Sequence, residues 1–192
     1  MRGWSLRFAA AGCALAWLSS CAIGPRETQV ATRDASELQE WRARGRIAVA
    51  GPDGGGSGSF TWWQRGENAE INLRGPIGIG SVQLALSANS IRVRTGDGQE
   101  FEAEPAQEEL AARLGAHVPA RDLRYWMVGL AAPGEHRWTT SADTATLTQQ
   151  DWRIEYRRFG VADGVRLPLR LEAVNGPAKV RVVIDRWQVE TK

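Results

Sequence analysis

The amino-acid sequence predicts a mostly β, α+β fold: an open antiparallel barrel with two helices across its opening. Segments in which apolar and polar residues alternate occupy residues 45–102 and again 143–187, and this period is typical of half-buried strands. Two helical segments lie between these blocks, at 105–115 and 122–130. One sheet completed by both ends of the chain would leave the helices across an opening, where a barrel of this size can hold a small ligand.

The first twenty residues have the features of a bacterial signal peptide. Arg2 and Arg7 form a short basic region, no acidic residue is present, and residues 8–18 are apolar. That apolar run is too short to span a bilayer and leads into small residues. The run Leu18-Ser19-Ser20-Cys21 resembles the lipobox of lipoprotein precursors. The resemblance implies cleavage before Cys21, diacylation of its thiol and, usually, acylation of its new amino group.

Cys21 is therefore expected to be the first residue of the mature protein and its lipid anchor. A disulfide with Cys13 is the alternative, but Cys13 would leave with the signal peptide. Each buried methylene contributes ~0.8 kcal/mol, so two or more acyl chains give stable anchoring. The following residue is Ala22, whereas Asp at this place retains many Gram-negative lipoproteins in the inner membrane. The resemblance thus implies the outer membrane.

Composition excludes several function classes for the mature chain. Once Arg2 and Arg7 are removed, basic and acidic residues number 22 each, which argues against a nucleic-acid binder. Only two histidines and one retained cysteine remain, so we expect neither a metal site nor a cofactor. Residues 21–36 are polar and aperiodic and are expected to be an acylated, flexible tether. Residues 37–192 then form one domain.

The first block of alternation predicts a meander of six antiparallel strands. A short helix over residues 36–42 precedes it, because Leu38 and Trp41 are three residues apart. Residues 51–56 are predicted to be a mobile, glycine-rich turn. The strands are predicted near residues 45–50, 57–64, 71–74, 82–86, 91–94 and 99–102.

The connection between the third and fourth strands has unusual chemistry. Gly75-Pro76-Ile77-Gly78-Ile79-Gly80 carries no charge and places two β-branched apolar residues among glycines, whereas a loop facing water is normally polar. The loop could fold back and place Ile77 in the core. Alternatively, Ile77 could leave water for a lipid tail, a bilayer or a partner's groove, since an exposed apolar tip is a liability without such a use.

The middle of the chain predicts two helices. Residues 105–115 begin with Pro and end with Gly, which punctuates a helix at both ends. Residues 122–130 place Leu123, Trp126, Met127 and Leu130 on one stripe. This stripe is consistent with ordinary core packing, and also with a lipid site, because Met adapts to irregular shapes. Strands then resume near residues 143–148, 152–159, 167–171 and 180–187.

Several motifs together resemble the LolB family of outer-membrane lipoprotein receptors. The resemblance extends from the lipobox to Trp187, nearly the whole chain. The motifs are Trp41 followed by residues 45–49 (Gly-Arg-Ile-Ala-Val), then 58–62 (Gly-Ser-Phe-Thr-Trp), 75–78 (Gly-Pro-Ile-Gly), 123–129 (Leu-Arg-Tyr-Trp-Met-Val-Gly) and 150–156 (Gln-Asp-Trp-Arg-Ile-Glu-Tyr). The resemblance implies an unclosed antiparallel barrel, LolA/LolB-like, with a helical lid over an apolar cavity.

The resemblance also implies a function and a set of partners. LolB-like proteins accept an acylated lipoprotein from the periplasmic carrier LolA and place it in the inner leaflet of the outer membrane. The implied partners are LolA, the lipoprotein cargo and outer-membrane phospholipid, with the receptor a monomer. In the family, an apolar loop residue, usually Leu in Pro-Leu-Gly, is needed for insertion. Ile77 holds this position, so the expected membrane-insertion loop is Gly75, Pro76, Ile77, Gly78 and Ile79.

Alternation alone does not decide which strand face lines the cavity where Trp62 and Trp63 are adjacent, since either side chain could point inward. From the strands and the second helix we expect the acyl-chain cavity to be lined by Phe60, Trp62, Ile71, Leu73, Leu84, Trp126 and Met127.

Two other function classes stay open at this point. A lipid-anchored hydrolase would need a nucleophile with a base, or a carboxylate pair in a cleft. His117 and His136 are isolated and no Gly-x-Ser-x-Gly motif is present, so no catalytic residue is predicted. A scaffold lipoprotein of outer-membrane assembly would instead have a packed core with no cavity.

Overall fold

The computed structural model describes residue 31 and residues 33–52, 54–75, 80–114, 117–141 and 144–190. The predictions for Cys21 and for Pro76, Ile77, Gly78 and Ile79 lie outside these residues. The described elements are a 3₁₀ helix (Ala35–Glu37), helices α1 (Ala103–Leu114) and α2 (Leu123–Met127), and strands β1 (Glu40–Gly51), β2 (Gly54–Arg65), β3 (Asn68–Arg74), β4 (Ser81–Leu86), β5 (Ile91–Thr95), β6 (Glu100–Glu102), β7 (Arg137–Thr140), β8 (Ala145–Gln149), β9 (Trp152–Ala162), β10 (Val165–Asn175) and β11 (Ala178–Val189).

All these strands belong to one antiparallel sheet in the order β6-β5-β4-β3-β2-β1-β11-β10-β9-β8-β7. The first strand pairs with the last, as predicted, so both ends of the chain complete the sheet. The two edge strands, β6 and β7, are not paired with each other, and α1 and α2 lie between them along the chain. The prediction of an unclosed antiparallel barrel with two helices is confirmed. No helix in the described part of the chain is long and apolar enough to cross a membrane.

The helix predicted over residues 36–42 was wrong. Only a single 3₁₀ turn forms, with the Asp34 side chain accepting a hydrogen bond from Ser36 N at 2.7 Å. Trp41 instead belongs to β1, where its ring packs against Trp62 and Trp187 at centroid distances of 5.5 and 5.3 Å. Pairing of β1 with both β2 and β11 satisfies the backbone of this segment on two sides and outweighs the local helical spacing.

The tether was predicted to extend over residues 21–36, but the folded domain begins before residue 36. Arg33 N donates to Gly164 O at 3.0 Å and Arg33 forms a parallel bridge with Val165. The 3₁₀ turn that follows contacts β10. Residues 33–36 therefore belong to the folded domain.

Other differences concern the ends of elements. The glycines predicted to form a mobile turn continue β2, where Gly55 pairs with Ala50 and a Cβ would lie 2.4 Å from Val49 O. Helix α2 covers only five residues of the predicted 122–130. Strand β7 was not predicted because all four of its residues are exposed, so its sequence shows no alternation.

The inner face of the sheet forms the core, and the register decides which tryptophan it receives. Trp62 lies opposite Ala43 and Ile71, is 4% exposed and faces inward. Trp63 therefore points to the outer face. Its indole N–H donates to Glu40 Oε1 at 2.7 Å, and two exposed arginine side chains lie over its ring, those of Arg42 and Arg65.

Candidate functional site: an apolar cavity under two helices

The concave side of the sheet and the two helices enclose a cavity whose lining is apolar throughout the part of the chain that the structure describes. Five strands form its floor and walls, while α1, α2 and the segment between them cover it. Its lining residues are Ile47, Val49, Phe60, Trp62, Ile71, Leu73, Leu84 and Val182 from the sheet, with Leu110, Val118, Ala120, Leu123 and Met127 from the cover.

The cavity is narrow in this structure. Its volume is about 40 Å³, which is room for roughly three water-sized spheres. A long acyl chain needs far more space, so binding one requires the covering helices or the side chains beneath them to move. Met127, at the end of α2, is suited to such a change because its side chain is unbranched and adaptable.

Six of the seven residues expected at the cavity line it: Phe60, Trp62, Ile71, Leu73, Leu84 and Met127. Trp126 does not. Sequence reasoning missed Ile47, Val49 and Val182, although their alternation along β1 and β11 could have identified them. It also missed Leu110, Val118, Ala120 and Leu123 as lining residues, because nothing in a helical stripe specifies which part of a sheet the helix covers.

Trp126 anchors the cover to the second half of the sheet. It is fully buried, packs against Trp152 at a centroid distance of 5.9 Å, and donates from its indole N–H to Gln149 Oε1 at 3.1 Å. The same Gln149 oxygen accepts from Ala132 N at 2.9 Å, and Gln149 Nε2 donates to Ala132 O at 2.6 Å. One buried amide therefore fixes both α2 and the chain that follows it.

Tyr156 provides a second anchor for α2. Its hydroxyl donates to Trp126 O at 3.0 Å, and its ring packs between those of Trp138 and Phe159. Burial raises the pKa of the Tyr156 hydroxyl well above its usual value, because the charged phenolate would lose its hydration. The helix is thus held from its β8–β9 side, while Leu123 and Met127 on its other side face the cavity.

We expect the raised pKa of Tyr156 to make stability fall at alkaline pH. The folded protein keeps the Tyr156 proton at a pH where the unfolded chain releases it, so this contribution is fully present below about pH 10 and declines above it. Absorbance at the phenolate band and circular dichroism should be followed together between neutral and strongly alkaline pH.

The Tyr156→Phe variant is the control for this pH dependence. It loses one hydrogen bond, at a cost of about 1 kcal/mol at neutral pH, and its unfolding free energy should decline less steeply above pH 10. Ionisation of Tyr156 without any loss of tertiary structure would contradict the assignment.

A wider and more polar space opens beside the cavity. This vestibule has a volume of about 520 Å³ and shares Leu110, Val118 and Ala120 with the cavity lining. Burial raises the pKa of the Asp122 carboxyl, against smaller lowering effects from a Gln150 hydrogen bond and the charge of Arg124. The polar residues around the vestibule are Gln107, His117, Arg121, Asp122 and Asn175.

A second, smaller space lies on another side of the cavity, at the base of the β3–β4 hairpin. This loop-base crevice has a volume of about 20 Å³ and is lined by apolar side chains together with Ser57, Ser59, Arg74 and Arg113. It shares Ile47, Val49, Leu73 and Leu110 with the cavity and reaches Gly75. The hairpin is closed at this point, since Gly75 N donates to Gly80 O at 3.1 Å and Arg74 pairs with Ser81.

Comparison with known proteins gives one consistent family. The sequence profile of the family described as "Outer membrane lipoprotein LolB" matches residues 39–187. The chain is 34% identical over 194 residues to the outer-membrane lipoprotein LolB of Halorhodospira halophila, covering 96% of each chain. It is also 34% identical over 197 residues to the outer-membrane lipoprotein LolB of Pseudomonas aeruginosa PAO1, covering 95% of this chain and 96% of the relative.

Among solved structures, the fold is shared with a DUF1329 family protein from Desulfovibrio piger. The TM-score is 0.51 at 7% sequence identity, and the match covers 82% of this chain and 88% of that one. At this identity the similarity concerns the fold alone.

Proposed function

This chain belongs to the LolB family of outer-membrane lipoproteins, and we propose that it accepts acylated lipoproteins from the periplasmic carrier LolA and inserts them into the inner leaflet of the outer membrane. The observation that carries this proposal is the cavity under α1 and α2, which the described residues line with apolar side chains alone. Such a surface suits acyl chains, since burial of apolar area favours binding without a specific polar partner.

Transfer of this kind needs no catalytic step in our proposal. Acyl chains would pass from the carrier to this cavity and then to the bilayer, each site binding them more favourably than the one before. An acyl chain that enters must widen the cavity, so the covering helices or the side chains beneath them have to move during uptake. The side chains that α2 turns towards the cavity, Leu123 and Met127, are apolar and can change conformation without breaking the hydrogen bonds of Trp126 that hold the helix.

Anchoring and insertion complete the proposal. Acyl chains on Cys21 would hold the protein at the periplasmic face of the outer membrane, and the residues between Cys21 and Arg33 would let the domain reach both the carrier and the bilayer. Ile77 would enter the lipid from its loop. Its burial would contribute roughly 1.5–3 kcal/mol, which is too little to anchor the protein but enough to orient the hairpin towards the membrane.

A lipoprotein transfer assay tests the function. Carrier loaded with a lipoprotein would be mixed with liposomes that display the full-length acylated protein. We expect the lipoprotein to leave the carrier and to become resistant to extraction from the liposomes. Liposomes without the receptor should take up little. If the wild-type receptor takes no lipoprotein from the carrier, the proposed function is wrong.

A cavity-filling variant tests the binding site. Ala120→Phe adds a ring beside a cavity of about 40 Å³, so we expect affinity for a fluorescent fatty acid to fall about tenfold, the effect of losing ~1.4 kcal/mol. Affinity would be measured by displacement, using the mature chain kept unacylated by Cys21→Ala.

Ala112→Phe is the matched control, because Ala112 lies exposed on α1 and away from the cavity lining. It should bind the probe like the parent chain. Equal binding by Ala120→Phe and the parent would place the site elsewhere. Absence of saturable binding in the parent would instead favour a scaffold lipoprotein that binds protein.

A further inference from the structure

Two spaces adjoin the cavity, the vestibule and the loop-base crevice, and they differ in size and polarity. The vestibule is wide, and its rim carries a guanidinium, a carboxylate, an imidazole and two amides. The loop-base crevice is much smaller, and the side chains of Ile47, Val49, Leu73, Val82 and Leu110 form its apolar part, while Ser57, Ser59, Arg74 and Arg113 border it. Each adjoins the cavity and shares lining residues with it, Val118 and Ala120 on the vestibule side and Ile47 and Leu73 on the crevice side.

An acylated lipoprotein has the same two-part character. Its acyl chains are apolar, while its ester carbonyls, amide groups and peptide backbone need hydrogen-bond partners or water, because burying them unpaired is costly. Resting on the function proposed above, we propose that the cargo lies with its ester and peptide head in the vestibule and its acyl chains directed through the cavity towards the loop-base crevice.

The vestibule offers suitable partners for that head. Arg121 can donate up to five hydrogen bonds and the Gln107 side-chain amide can donate two, which suits ester and amide carbonyl oxygens. Both side chains are exposed, so they can bind the head without first breaking a buried contact. Asp122 lies beside them, partly buried, and its carboxylate accepts hydrogen bonds from peptide N–H groups.

The position of the crevice relates the proposed orientation of the cargo to its delivery into the bilayer. Gly75 is among its lining residues, and the Gly75 N–H donates to Gly80 O at the base of the β3–β4 hairpin. Chain ends directed there lie next to the loop that we propose enters the bilayer. The chains would therefore reach lipid without passing back through the polar vestibule, which avoids exposing them to water.

Photolabelling of the full-length acylated protein in liposomes tests the orientation. The carrier would deliver a triacylated lipopeptide with a diazirine either at the end of one acyl chain or on the peptide next to its cysteine. Mass spectrometry would locate the labelled residues. We expect the peptide probe to label residues 107–122 and the chain-end probe to label residues 56–59 or 73–75, in both cases suppressed by excess unlabelled lipopeptide.

Two other outcomes would overturn the inference. Labelling of the vestibule by the chain-end probe, or of one segment by both probes, rejects the orientation while leaving the receptor function intact. No competable labelling by either probe rejects the orientation together with the proposed function.

A double variant, Arg121→Ala with Gln107→Ala, tests the head site separately. Loss of about two hydrogen bonds should reduce lipopeptide uptake about tenfold, while labelling by a palmitoyl probe without the head should not change. Arg121→Lys should restore part of the uptake. The matched control is Arg44→Ala with Gln188→Ala, which alters exposed residues of β1 and β11. Equal losses with both probes would mean that these residues act only on the fold of the cover.

Discussion

The Ile77→Glu variant should accept lipoprotein from the carrier and fail to deliver it to the membrane. Entry of the native side chain into lipid would contribute roughly 1.5–3 kcal/mol, whereas a carboxylate is strongly disfavoured there. The difference should reduce the rate of delivery at least tenfold. Acceptance should not change, because in our proposal Ile77 acts only when the cargo passes from the receptor to the bilayer. The measurement is the transfer assay, with carrier-bound, receptor-bound and liposome-bound lipoprotein separated by flotation.

Ile77→Leu is the control for this variant, since it keeps the apolar volume and should deliver at close to the native rate. Normal delivery by Ile77→Glu would mean that Ile77 is only a turn residue. Loss of both acceptance and delivery would mean that the side chain belongs to the folded core, the other interpretation that the loop sequence allows.

Gln149→Ala should destabilise the domain by about 3 kcal/mol or more. Gln149 is buried, and its amide makes three hydrogen bonds, to Trp126 and to both backbone groups of Ala132. Truncation leaves those groups buried without partners, and each unsatisfied group costs roughly 1–3 kcal/mol. Urea unfolding followed by tryptophan fluorescence would measure the loss as a lower midpoint with an unchanged slope.

The matched control is Gln188→Ala, an exposed position on β11, which should change the unfolding free energy by no more than about 0.5 kcal/mol. Because Gln149 fixes α2, the variant should also bind fatty acid with altered affinity under conditions where it remains folded. A destabilisation below about 1 kcal/mol would show that water or other groups replace the amide, and that α2 is anchored by other contacts.

Several parts of the site could be predicted because they depend on local pattern. The alternation of Ile71 and Leu73, and of Val82, Leu84 and Leu86, follows from the period of a strand, and the structure places these residues on its inner face. The helix over residues 105–115 was close to its observed bounds because proline and glycine mark its ends.

Other parts could not be predicted because they depend on partners that are distant in sequence. Leu38 and Trp41 have helical spacing, yet Trp41 pairs across β2 and β11. Trp126 shares a stripe with Met127, yet it leaves the cavity because its hydrogen-bond acceptor, Gln149, comes from β8.

The sequence by itself determined the class of fold, an antiparallel sheet interrupted by two helices, and with it the family to which the chain belongs. These follow from side-chain periodicity and from the order of motifs, both of which are properties of the chain before it folds. Only the tertiary structure decided which side chains line the cavity, that Trp62 and not Trp63 faces it, and that α2 is fixed to β8 and β9 through Trp126. Those choices depend on strand register and on a bulge beside Gly45, which arise when segments from opposite ends of the chain pair.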